Sequence, residues 1–138
     1  MSNRSFFDTN ILVYTDDMDA PDKADRSLGL WQEHRTGGLA VISIQVLQEY
    51  FWAATRKLGV DPGVATEKLM LFSRADVMNP TSDDVVSAAR LSVEHKLSFW
   101  DAMVVQMAMQ ADCETLFSED MQAGRRFAGL EIVNPFAS

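Results

Sequence analysis

Cysteine, histidine, glycine, proline and positive charge are all scarce in this chain, and each scarcity removes a class of function. The lone cysteine, Cys113, can neither close an internal disulfide nor build a thiolate zinc site, which suits a reducing compartment. It reads as a small core residue rather than a nucleophile. The two histidines, His34 and His95, fall near the ends of expected helices, where a dipole contact explains them, and no His-x-x-x-His pair occurs. Seven glycines and four prolines in 138 residues form no Gly-rich phosphate loop, no Walker sequence and no biased tract. No repeat recurs at the periods of stacked arrays. No apolar run is long enough to span a bilayer, and the start Met1-Ser2-Asn3-Arg4 leaves no room for a signal-peptide core before Asp8. These readings predict a cytoplasmic protein that does not enter a membrane.

Twelve Lys and Arg stand against twenty Asp and Glu, a formal net charge of −8. This counts against a broad basic face for nucleic acid, because phosphate neutralisation needs clustered cations. Taken alone this favours a small-molecule enzyme or a binding module. The objection weakens if several acids belong to a metal site, since bound divalent cations reverse the local field that a phosphodiester meets.

A hydrophobic share of 47% is enough for one compact domain, 1–138, with a sheet covered on both faces. Short apolar strands are expected at Arg4–Phe7, Leu39–Ile42, Val77–Met78, Thr115–Phe117 and Glu131–Val133. Between them lie helical patterns. One starts at Pro21, with Ala24, Leu28, Leu30 and Trp31 in register, and ends at Gly37-Gly38. Another carries Val46, Leu47, Tyr50, Phe51 and Ala54 on its apolar side and breaks at Asp61-Pro62-Gly63; a third runs on to about Arg74. Thr81 or Ser82 caps the next, as far as His95, and Ser98 opens the last, to about Asp112. The aspartates at 16, 17, 19 and 22 lack the spacing and glycine of a calcium loop and read as a solvated turn. Alternating strands and helices predict a three-layer α/β/α sandwich with a five-stranded parallel sheet. In such sheets ligands gather beyond the carboxyl ends of the strands.

Four acids fall where that edge should be. Asp101 lies in a helix apolar almost all round, where a lone carboxylate is costly without a partner. A capping box, Ser98-x-x-Asp101, is the structural explanation, and it still leaves one oxygen for a metal. Asp8 follows the first strand between Phe6-Phe7 and Ile11-Leu12-Val13; it reads as a ligand or as a helix N-cap, with Thr9 and Asn10 as orienting groups or turn residues. Glu49 could belong to a solvated helix face with Gln45, Gln48 and Arg56. Asp120 stands in a polar loop, Leu116-Phe117-Ser118-Glu119-Asp120, where Glu119 competes for its role. Together the four form a hard oxygen cage of the type Mg²⁺ and Mn²⁺ prefer, able to hold a scissile phosphate and to make a bound water acidic. Two rivals stay open: a phosphohydrolase with Asp8 as covalent nucleophile, although Asn10 stands where a second carboxylate is usual, and a non-catalytic interaction module.

Phe6-Phe7-Asp8-Thr9-Asn10-Ile11-Leu12, Ser43-x-Gln45-Val46-Leu47-x-Glu49, Asp101-Ala102, Leu116-Phe117-Ser118-Glu119-Asp120 and Val133-Asn134-Pro135-Phe136, in this order and spacing, resemble the PIN-domain nucleases, above all the bacterial VapC-type toxins. The resemblance spans essentially the whole chain. It implies a flavodoxin-like sandwich, Mg²⁺- or Mn²⁺-dependent cleavage of single-stranded RNA, a homodimer, and inhibition by a small antitoxin protein within a type II toxin–antitoxin pair. By position it implies metal-binding and catalytic roles for Asp8, Glu49, Asp101 and Asp120, with Asn10 and Ser118 as polar helpers. Arg56, Lys57, Arg125 and Arg126 are the cations near these motifs that could hold an RNA backbone, and solvated surface charge explains them better.

Overall fold

The computed structural model describes residues 3–137; Met1, Ser2 and Ser138, which the expected 1–138 domain includes, lie outside the described residues. Six strands, β1 (Ser5–Phe7), β2 (Ala40–Ser43), β3 (Asp76–Met78), β4 (Thr115–Phe117), β5 (Arg126–Phe127) and β6 (Leu130–Val133), form one sheet in the order β3-β2-β1-β4-β6-β5. The first four and β6 run parallel, and β5 pairs antiparallel with β6 at the edge. The five expected strands are therefore present, and the expected count of five is corrected to six. The extra strand is two residues long, and a two-residue strand carries no periodicity to read.

The strand order dictates where a ligand can sit. From β1 the chain steps outward to β2 and then β3, and the next crossover returns past β1 to β4 on its other side. The direction of winding reverses between β1 and β4, and their carboxyl ends splay apart into a crevice. Right-handed crossovers place α1 (Thr9–Tyr14), α2 (Pro21–Thr36), α3 (Ile44–Arg56) and α4 (Pro62–Phe72) on one face, and α5 (Ser82–His95) and α6 (Phe99–Gln110) on the other. The mostly parallel sheet is thus flanked by helices, and β1 and β2 are buried along their whole length.

Sequence explains each boundary. Asp8, Ser43, Asp61, Thr81 and Ser98 each place a side-chain oxygen on a backbone N–H at a helix start. Asp61-Pro62-Gly63, expected as a break, is the capped start of α4, with proline at its first position. Thr81 rather than Ser82 caps α5, through a reciprocal box with Asp84. At α6 only half the expected box forms: Ser98 Oγ accepts the Asp101 N–H at 3.1 Å, and no bond returns from the Asp101 carboxylate to the Ser98 N–H.

A chain of edge-to-face rings locks the α2–α4 face onto the sheet. Phe7 meets Trp31 at 5.0 Å, Trp31 meets Phe72 at 5.2 Å, and Phe72 meets Tyr50 at 5.0 Å between centroids. Tyr50 then donates from its hydroxyl to Asp16, which also pairs with Lys68 at 2.7 Å. Asp16 is thus a half-buried anchor of α3 and α4, correcting its assignment to a solvated turn. Because Tyr50 is adjacent to Glu49, this anchoring sets the rotation of α3 about its axis. Cys113 is buried, and burial pushes its thiol up to about 12, far from thiolate chemistry at neutral pH. Among the described residues, no helix is long and apolar enough to cross a membrane.

Candidate metal and nucleic-acid site

Backbone pairing carries two of the acids to the crevice. The Asp8 N–H bonds to Phe117 O at 3.0 Å and the Ser118 N–H to Val133 O at 3.0 Å, so the ladder runs one residue beyond β1 and β4 before the chain turns into the site. Here a cavity of about 720 Å³ opens, and Asp8, Glu49, Asp101 and Asp120 all line it, with Thr9, Asn10 and Glu119 among their neighbours. Residues remote in sequence come together because each stands just beyond a strand or near the start of a helix.

Neutral donors stitch the carboxylates to one another. Asp8 Oδ1 accepts the Thr9 N–H at 2.8 Å, and the Thr9 hydroxyl donates to Glu49 at 2.8 Å. Asp8 Oδ2 accepts from the Ser118 hydroxyl at 2.8 Å and from the Asn10 amide at 3.2 Å, and that amide also reaches Asp120 at 3.2 Å. Asn10 is fixed at its other end, where its carbonyl accepts the Glu119 N–H at 3.0 Å. Ser118 is fully buried and accepts the Asp120 N–H at 3.2 Å. Thr9, Asn10 and Ser118 therefore bridge Asp8, Glu49 and Asp120, and Gln45 adds a second donor to Glu49 at 3.4 Å.

Electrostatics separates the acids into two kinds. Asp8 is only 7% exposed, and burial pushes its carboxyl up to about 6, against the help of Ser118 and Thr9; the nearby charges of Asp101 and Glu49 push the same way. Asp101 is raised too, first by burial and then by Asp120 and Glu49, with hydrogen bonding to Ser98 opposing. Glu119 behaves differently. Burial raises it, but bonds from Lys23 and the Tyr14 hydroxyl outweigh that and leave it low. Its charge is matched inside the protein, whereas among the described residues the Asp120 carboxylate accepts a bond from the neutral Asn10 amide and from no cation.

Among the described residues, no group of three or more His, Cys, Asp or Glu side chains stands close enough together to hold a metal ion. The carboxylates stand round the cavity wall, with those of Asp8, Glu49 and Asp120 tied by hydrogen bonds from neutral side chains. Their chemistry nonetheless fits a hard divalent cation. The acidic donors are all oxygen, no imidazole or thiolate lines the cavity, and two of the carboxylates are held above their ordinary range by burial and by one another.

Of the cations noted in the sequence, only Lys57 lines the cavity. Arg125 donates to His95 O at 2.8 Å and lies over the Phe127 ring, and Arg126 pairs with Glu131 at 3.3 Å. Both are occupied in holding the β5–β6 edge. Sequence reasoning missed Trp52, which also lines the cavity; its position three residues after Glu49 is the helical spacing that could have found it.

The chain matches the family model of the PIN domain over residues 5–128. Its fold is similar to the crystal structure of Mycobacterium tuberculosis VapC20, described as a Sarcin-Ricin loop cleaving toxin, with a TM-score of 0.69 at 23% identity over 84% of this chain and 91% of that one. It is equally similar to a toxin–antitoxin complex from Klebsiella pneumoniae, with a TM-score of 0.69 at 20% identity over 96% of this chain and 98% of that one. No curated protein matches it.

Proposed function

The chain belongs to the PIN-domain family, and from that premise and the site geometry we propose that it is a single-domain, metal-dependent endoribonuclease, the toxin of a type II toxin–antitoxin pair. The observation that carries the reading is one cavity at the β1–β4 switch point lined by Asp8, Glu49, Asp101 and Asp120, with Asp8 too buried to be ionised cheaply unless a cation balances it. The two structural neighbours, a toxin and a toxin–antitoxin complex, support the biological half of the proposal and with it a small antitoxin partner; a homodimer and a cytoplasmic setting belong to the same proposal.

The four carboxylates would hold Mg²⁺ or Mn²⁺, which when bound supplies Lewis-acid stabilisation of the phosphate and lowers the pKa of a bound water. The protein's own groups do the rest. Thr9, Asn10 and Ser118 fix oxygens of Asp8, Glu49 and Asp120 before any ion arrives, so little reorganisation of these three is needed on binding. Asp8 as a covalent nucleophile is the weaker reading. Both its oxygens already accept hydrogen bonds, and residue 10, where a second carboxylate is wanted, is an amide committed at both ends.

The direct test is incubation of purified protein with a transfer and ribosomal RNA panel. Cleavage is expected in Mn²⁺ or Mg²⁺ and none in EDTA; turnover of a chromogenic phosphate monoester with all RNA intact would overturn the proposal. A second comparison separates the adjacent acids. Asp120→Asn is expected to slow cleavage at least roughly tenfold, since even the loss of an outer partner of a metal ligand costs that much. Glu119→Gln, which breaks a partly exposed pair with Lys23, should keep most activity at little cost in stability. Measured initial rates in the reverse order would move the metal role to Glu119.

A further inference from the structure

The cavity has a second wall that the carboxylates do not explain. Trp52 lies on the Glu49 face of α3 one turn further on, and it lines the cavity while 57% exposed. The fold does not need an indole there, because Val46, Tyr50 and Ala54 supply the buried face of α3. Val13 and Ala53 extend the apolar surface beside it. Lys57, just past the end of α3, lines the same cavity with its ammonium 5.7 Å from the Trp52 ring centroid. Among the described residues Lys57 pairs with no carboxylate. Along α3 the order is acid, flat ring, cation, over about 12 Å from Glu49 to Lys57 at 1.5 Å per residue.

A nucleotide swung out of its strand offers matching groups: a phosphate, an uncovered base face, and a neighbouring phosphate. Base faces within a duplex are covered by their neighbours, so a ring at the cavity wall can meet only an unpaired base. The protein's net charge of −8 points the same way, since it counts against broad basic coverage of a duplex and favours affinity from a few contacts of another kind. Resting on the nuclease reading above, we propose that Trp52 is a stacking platform for the base next to the cleaved phosphate, that Lys57 holds the adjoining phosphate, and that the pair restricts the substrate to RNA with an unpaired base at that point.

The test compares a labelled single-stranded oligoribonucleotide with a fully abasic oligomer of the same length. Binding is followed by fluorescence anisotropy, and cleavage in Mn²⁺ by gel, for the wild type, Trp52→Ala, Trp52→Phe and Trp100→Ala. Trp100 is exposed and does not line the cavity. Trp52→Ala is expected to raise Kd and KM for the base-bearing strand on the order of 5- to 100-fold, the range of one lost base stack. Its kcat should stay within about threefold, since the ring acts on binding rather than on the reacting atoms. Trp52→Phe should recover most of the loss, Trp100→Ala should match the wild type, and Kd for the abasic oligomer should not respond to Trp52. Equal weakening of both oligomers, or of neither, overturns the stacking role. If the wild type binds RNA but does not cut it, the nuclease reading falls while the Kd pattern still decides on Trp52; if it binds no single strand, both fall.

Discussion

Asp8→Asn and Asp101→Asn are each expected to reduce Mn²⁺-dependent RNA cleavage by about 10³-fold or more, with far-ultraviolet circular dichroism unchanged. Asparagine keeps the size of aspartate and one of its acceptor oxygens and caps a helix as well, so the α1 start survives at residue 8, while the α6 start survives because its cap is Ser98, which bonds only the backbone N–H of residue 101. What disappears is a full negative charge in a place where burial has already cost it dearly. Several kcal/mol of charge stabilisation in the transition state would go with the cation, and each 1.36 kcal/mol is tenfold in rate. Residues that only position the carboxylates should matter less. Asn10→Ala and Ser118→Ala remove a bond to Asp8 without removing a charge, for which losses of roughly 10- to 100-fold are expected. The ranking is the decisive measurement. Wild-type rates in both asparagine variants would mean that the acids are structural, and equal losses at all four positions would point to a general collapse of the site.

That ranking can be argued from residues because much of the site is local chemistry written in sequence. Asp8-Thr9-Asn10 reads as an N-cap followed by a hydroxyl and an amide, and the structure uses all three, the cap to start α1 and the other two to bridge Asp8 with Glu49 and Asp120. Asp101 on an apolar helix announces an acid that needs a partner. Glu49 and Glu119 were less legible. On a helix face or in a polar loop a carboxylate looks the same whether it faces water or a cavity, and only the rotation of α3 through Tyr50, Asp16 and Lys68, or the Lys23–Tyr14 clamp on Glu119, decides. The bonds that reach Asp16 and Glu119 span 34 to 105 residues, invisible to any local pattern. The strand β5 escaped for another reason. Its tight turn to β6 puts Ala128, not a glycine, at a φ of 54°, so the usual glycine signal of a hairpin is missing from the first turn position.

In divalent-free buffer near pH 7.5, Asp8→Asn should be more stable than the wild type, on the order of 1–3 kcal/mol or about 5–10 °C in Tm, and the sign of that difference should reverse in saturating Mn²⁺. Burial raises the Asp8 carboxyl from 3.8 in the unfolded chain to about 6 in the native one. Between those values the native protein holds a proton that the unfolded chain has released, so stability falls as pH rises from about 4 to 6, and the whole penalty is present above it. Asparagine has no such proton to lose. The advantage of the variant should therefore shrink below pH 6 and nearly vanish by pH 4. A bound cation reverses the account by favouring the ionised carboxylate, with a stabilisation of about 2.7 kcal/mol at one hundred times its Kd, available in full only to a protein that keeps the charge. Thermal melts across pH 4 to 8, with and without Mn²⁺, measure all of this at once. A variant less stable than the wild type at every pH would show that the Asp8 hydrogen bonds outweigh the cost of its burial, and that the carboxylate is retained for structure rather than for a metal.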